Sequence, residues 1–177
     1  MKYTLLIILQ LFAYTAFSQL DLPAWLQAND SGEYLTVRGS ILTGADSSTT
    51  DGYVTVTRNG ATKDLYRFNY KKGTSFTIFL PVNGHYSVRF EKNGCISKTV
   101  DVYTTNVPKK MWRNYYSLEL NAHLQEEPKG FDKSVSMIPC MIAKFNPEIK
   151  FFVFDEEFAK ARKEALDKEL ERCKQNL

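Results

Sequence analysis

The sequence predicts a mostly β chain: an antiparallel β-sandwich, then a short β-hairpin, then a C-terminal α-helix. Three observations carry this reading. From Tyr34 onward apolar and polar residues alternate with a period of two, as in strands with one face buried and one wet. Asn-Gly pairs at 59–60, 83–84 and 93–94 interrupt the alternation, and both residue types tolerate the positive φ of tight hairpins. From Glu156 to Lys174 there is neither Gly nor Pro, and Ala, Glu, Lys and Arg dominate.

Residues 1–18 read as a cleavable signal peptide. Lys2 supplies the positive start, and Leu5 to Phe17 is apolar apart from Gln10 and Thr15. Ala16-Phe17-Ser18 offers the small residues a peptidase reads, which places the new N-terminus at Gln19. The apolar run is shorter than the roughly 20 residues that span a bilayer. No later stretch is long and apolar enough to do so. Residues 19–33 form a lead-in that ends in the turn Asn29-Asp30-Ser31-Gly32.

The sandwich is expected over 34–124. Tyr34 to Leu42 makes its first strand, and Gly44 to Gly52 is a polar loop. Tyr53 to Arg58 and Leu65 to Tyr70 flank Asn59-Gly60, and Lys71-Lys72-Gly73 turns the chain. Phe76, Ile78 and Leu80 share one strand face, as do Tyr86, Val88 and Phe90. Ile96 to Tyr103 follows; Tyr116, Leu118, Leu120 and Ala122 complete the set. The expected core is Phe76, Ile78, Tyr86, Val88, Phe90, Leu118 and Leu120. Residues 125–154 read as a linker and a hairpin, with Met137 to Phe145 and Lys150 to Phe154 joined by Asn146-Pro147-Glu148. Asp155 is placed to cap a helix over 155–177. Its apolar stripe is thin: Phe158, Ala161, Ala165, Leu166, Leu170 and Cys173. The stripe can dock on the chain's own sandwich or serve as a surface for a partner or a second copy, and the helix is expected to be separable and to contribute to contact more than to folding.

The full chain of 177 residues has a net charge of +3 and no basic block, which argues against a nucleic-acid partner. Its three cysteines, Cys95, Cys140 and Cys173, cannot all pair within one chain and match no metal or redox spacing. Cys95 and Cys140 sit in apolar strand contexts, and Cys173 is expected to be the most exposed.

Val37-Arg38-Gly39-Ser40-Ile41, Tyr53-Val54-Thr55-Val56, Phe76-Thr77-Ile78 and Leu80-Pro81-Val82-Asn83-Gly84-His85-Tyr86-Ser87-Val88, closed by Lys92-Asn93-Gly94, form a familiar set. Together they resemble the carboxypeptidase regulatory-like domain, a transthyretin-like sandwich found in cell-envelope proteins of Gram-negative bacteria. The resemblance covers roughly residues 36–104. Gly73-Thr74-Ser75-Phe76 is one residue longer than the family's turn, and Cys95 stands where an aromatic residue is common. The resemblance implies an exported, periplasmic or outer-membrane-associated module that contacts another envelope protein or a second copy of itself. It also implies a module that is not an enzyme and has no catalytic residues of its own.

The sequence offers no nucleophile motif, no cofactor motif and no metal-ligand spacing. His85 and His123 lie in expected strands. Asp46, Ser48, Thr50 and Asp51 resemble part of a calcium loop but lack its closing Gly and Glu. Tyr66, Phe68 and Tyr70 alternate beside Arg67 and form a candidate stacking platform for a sugar or peptidoglycan strand. Carbohydrate binding is therefore the alternative to protein contact. A small hydrolase ranks last, because Arg38-Gly39-Ser40 lies in the first strand and cannot serve as the C-terminal signature of the hydrolytic subgroup.

Overall fold

The computed structural model describes residues 33–43, 52–59, 61, 64–70 and 75–175. The signal peptide, the lead-in up to residue 32, the loop containing Asp46 to Asp51, and the turn Lys71-Lys72-Gly73 lie outside the described residues.

The strands are β1 (Tyr34–Thr43), β2 (Gly52–Arg58), β3 (Asp64–Tyr70), β4 (Ser75–Pro81), β5 (His85–Lys92), β6 (Lys98–Tyr103), β7 (Tyr116–Glu119), β8 (Ala122–Leu124), β9 (Met141–Asn146) and β10 (Phe151–Phe154). The helices are α1 (Ser134–Met137) and α2 (Glu156–Gln175). One sheet has β1 at its centre, paired with β4 on one side and with β7 and β8 on the other. The second sheet runs β10-β9-β6-β5-β2-β3. The chain is a mostly β sandwich, as the alternation predicts.

The expectation of a wholly antiparallel sandwich is corrected. β7 and β8 run parallel to β1, and β9 runs parallel to β6. Tight turns force antiparallel neighbours, whereas long connections let a strand return in the same direction. The segments between β6 and β7 and between β8 and β9 are long enough to do this.

Alternation fills the space between the sheets. Val54 and Val56, Ile78 and Leu80, Tyr86, Val88 and Phe90, and Leu118 and Leu120 are all buried, and Phe76 packs on Phe90 at 5.5 Å between ring centroids. All seven expected core residues are in this cluster. The β9–β10 hairpin joins it through aromatic edges: Phe145 and Phe152 each meet the ring of Tyr116 at 5.5 Å. The hairpin is thus part of the second sheet and of the core.

Between β7 and β8 the ladder with β1 is carried by a side chain. Leu120 N–H donates to Arg38 O at 2.8 Å. Asn121 Oδ1 then accepts from both the N–H and the hydroxyl of Ser40, at 2.9 and 2.8 Å. Gly39 lies at this step. A Cβ there would stand 1.7 Å from Leu120 O, so only glycine lets the two backbones approach.

A smaller cluster sits outside the sandwich core. Ile96, Phe131 and Cys173 are buried together, with Val135, Leu166 and Leu170 packed against them. Asp155 caps α2 as expected, accepting from Phe158 N–H at 3.1 Å.

Candidate functional site

The outer face of the second sheet carries a polar row set by strand register. His85, Ser87 and Arg89 point away from the core because Tyr86, Val88 and Phe90 point into it. Register pairs His85 with Tyr103 and Ser87 with Asp101. The Ser87 hydroxyl donates to Asp101 Oδ1 at 2.6 Å, and His85 Nε2 lies 3.2 Å from Asp101 Oδ2. The Asn59 amide nitrogen is 2.8 Å from His85 Nδ1, and the imidazole stacks on Tyr103 at 4.0 Å. With Asn59 donating, Nδ1 accepts and the ring proton sits on Nε2, directed at Asp101.

The members of a catalytic triad are present, but the connections differ. A relay needs the nucleophile to donate to the base and the base to be oriented by a third group. Here both Ser87 and His85 donate to Asp101, so the serine proton is directed to the carboxylate. The sequence singled out His85 without its partners. Asp101 and Ser87 become neighbours only through the β5–β6 register.

Farther along the same face, Arg67 lies 4.2 Å over the Tyr53 ring, and Arg89 pairs with Glu91 at 2.9 Å. These four line a concavity of about 300 Å³. Tyr66, Phe68 and Tyr70 lie in β3, opposite Val56, Val54 and Gly52. Their side chains are outside the described residues. Among the described residues, no three His, Cys, Asp or Glu side chains come together as a metal site. No helix among the described residues is long and apolar enough to cross a membrane.

The second sheet ends at β10. In the β9–β10 turn, Asn146 Oδ1 accepts Glu148 N–H at 2.9 Å, and Lys150 takes a φ of 60°. Ile149 and Phe151 are left 53% and 63% exposed at the strand's entry. These two residues, not the helix stripe, form the apolar surface at this end of the sheet.

Of the two expected uses of the α2 stripe, docking on the chain itself is seen for part of it. Leu166, Leu170 and Cys173 face Ile96, Phe131 and Val135 of the same chain. Phe158 and Ala165 are half-buried, and Ala161 is exposed. Cys173 is the most buried of the three cysteines, not the most exposed; all three are free thiols. The stripe looked thin because its partners lie in loops whose positions the sequence does not reveal.

Hydrogen bonds lock this end of α2. Glu169 Oε1 accepts Asp132 N–H at 2.8 Å, Glu169 Oε2 accepts from Arg172 Nε at 2.7 Å, and Arg172 donates to Gly130 O at 2.7 Å. Arg172, then the Asp132 N–H, lower the Glu169 carboxyl from its ordinary value near 4.5 to about 2. A depressed carboxyl stabilises the fold above its unfolded value, and that contribution is lost as pH falls through the folded value. Glu169→Gln is therefore expected to flatten the acid limb between about pH 4.5 and 2, read as melting temperatures at several pH values. Equal acid sensitivity in both proteins would show that the contact does not hold α2.

No family model matches the chain, and no curated protein does. Solved structures similar to it include 3-chlorocatechol 1,2-dioxygenase from Rhodococcus opacus 1CP, at 14% identity and a TM-score of 0.35. That match covers 54% of this chain and 61% of the dioxygenase. The dioxygenase domain of a dioxygenase carbohydrate-binding protein fusion from Streptomyces sp. SirexAA-E is similar at 16% identity and a TM-score of 0.35, over 54% of this chain and 82% of that one. The pilus adhesin SpaC from Lactobacillus rhamnosus GG is similar at 14% identity and a TM-score of 0.34, over 54% of this chain and 15% of the adhesin. The reading of the chain as not an enzyme is corrected by the first two, which are dioxygenases.

Proposed function

We propose that the chain is an exported protein-contact module of the cell envelope, built on a carboxypeptidase regulatory-like β-sandwich. The signal-peptide pattern of residues 1–18 supports export, and the residues quoted from 36–104 support the family. The observation that carries the contact role is the β10 end of the second sheet. A terminal strand is a template for a further strand, and proteins that avoid such pairing place charge or proline there. β10 itself, Phe151–Phe154, carries neither charge nor proline, and at its entry Ile149 and Phe151, on either side of Lys150, are both more than half exposed. Strand addition uses the open backbone for affinity and alternate side chains for specificity. The partner is another envelope protein or a second copy of the chain.

The test is a double variant, Ile149→Lys with Phe151→Glu, in a pull-down from envelope extract and in sedimentation of the purified protein. Exposed substitutions alter stability by about 0.5 kcal/mol or less, so the melt should not move appreciably. Association with the partner, or self-association, should fall at least about tenfold, the effect of losing an anchor worth about 1.4 kcal/mol. Undiminished association in a folded variant would remove β10 as the contact edge.

A further inference from the structure

Strand register brings two connections to one end of the sandwich. Tyr34 pairs with Pro81 and Leu35 with Tyr116, so β1 and β7 start where β4 ends. His85 pairs with Tyr103, and Tyr103 with Lys144, so β6 and β9 end where β5 starts. Asn83 N–H donates to Thr104 O at 3.1 Å, which ties the end of the first sheet to the end of β6. The β6–β7 loop and the β9–β10 turn therefore emerge together. Their bases touch, because the Tyr116 ring meets Phe145 and Phe152.

The loop is held by its own bonds. Trp112 Nε1–H donates to Val107 O at 2.9 Å, and the Tyr116 hydroxyl donates to Met111 O at 3.0 Å. Fixed in this way, the loop exposes Lys109, Lys110 and Arg113, and Tyr115 is 91% exposed. Residues 104–118 contain no Asp or Glu. The turn adds Ile149, Lys150 and Phe151, all exposed, with Glu148 as its acid. Glu33 lies 4.0 Å from Arg113, and Asp64 starts the strand at the opposite edge of the second sheet. Lys109, Lys110 and Lys150 make no ion pair or side-chain hydrogen bond among the described residues.

We infer that this end of the sandwich docks on an anionic lipid surface. Exposed apolar side chains rimmed by charge mark protein or membrane contacts. Two features favour the membrane. Lysine heads with no fixed partner suit a fluid array of negative headgroups better than the set acceptors of a protein. A tyrosine at the tip has an apolar ring and a polar end, the form that settles at the lipid–water boundary. Tyr115 and Ile149 enter that boundary, and the cations meet the headgroups. The inference does not rest on the contact role: strand addition uses the side of β10, whereas lipid meets the strand ends.

The probe is vesicles of phosphatidylcholine, with and without about 30% phosphatidylglycerol, sedimented with the chain. Residues 1–18 are left off, because their apolar run enters lipid by itself. Binding to the anionic vesicles should exceed binding to the neutral ones at least about tenfold and fall steeply as salt is raised. Lys109→Gln with Lys110→Gln should weaken it at least about tenfold, with the melt and association through β10 unchanged. Tyr115→Trp should still bind, and its added fluorescence should shift to the blue on anionic vesicles; this holds as the readout if the lysine variant does not fold. Equal binding to both vesicles, undiminished binding by the folded lysine variant, or unshifted emission would overturn the assignment. Capture on immobilised polyglutamate without vesicle binding would also overturn it, in favour of an acidic protein.

Discussion

Gly39→Ala is expected to destabilise the protein by about 3 kcal/mol or more, at the upper end of what overpacking costs. The added methyl would stand 1.7 Å from Leu120 O and 2.6 Å from Leu120 C. Both are backbone atoms, so no side-chain rotation relieves the clash. The step cannot slide either, because Leu120 N–H is bonded to Arg38 O and Asn121 holds Ser40. Relief requires β1 to separate from the β7–β8 strand pair, which would open the centre of its sheet. Gly94→Ala is the control: its φ of 76° is strained for alanine, but no atom lies within 4 Å of the new methyl. That substitution should cost only about 1–2 kcal/mol. Denaturant unfolding of both variants checks the pair. A Gly39→Ala loss below that of Gly94→Ala would mean the two backbones are not in contact.

Tyr86 gives the second large effect, and its sign depends on the replacement. The side chain is fully buried among the largest core residues. Tyr86→Ala should cost about 3–5 kcal/mol, as for other aromatic truncations. The hydroxyl, however, has no hydrogen-bond partner. Burial pushes its pKa up, opposed by the Arg58 charge. A buried polar group without a partner is a liability of about 1–3 kcal/mol. Tyr86→Phe should therefore leave stability unchanged or raise it. Thermal unfolding of the two variants separates ring from hydroxyl, and a loss above about 1 kcal/mol for Tyr86→Phe would show that the hydroxyl is bonded.

The strands were legible in the sequence because alternation is a local property. Phe76, Ile78, Tyr86, Val88 and Phe90 announce their faces by spacing alone, and Asp155 announces its cap. The pairing of distant strands was not legible. Nothing near Tyr116 indicates that β7 runs parallel to β1 rather than antiparallel. The same limit hid the polar row: Ser87, His85 and Asp101 meet only once β5 and β6 are in register. It also misplaced Cys173, whose burial depends on Ile96 and Phe131, both far from it in sequence.

β1 has a consequence in time as well as in space. It is the middle strand of its sheet, yet one of its two edges is satisfied only by residues 116–124, and the Ser40–Asn121 bonds span 81 positions. Local pairs such as β5–β6 and β9–β10 close over short loops and form early. Pairing across long separations is what slows β-rich chains. Folding is therefore expected to be limited by β1 waiting, with an open edge, for a segment near the far end of the sandwich, and refolding kinetics of an Asn121→Ala variant would check it.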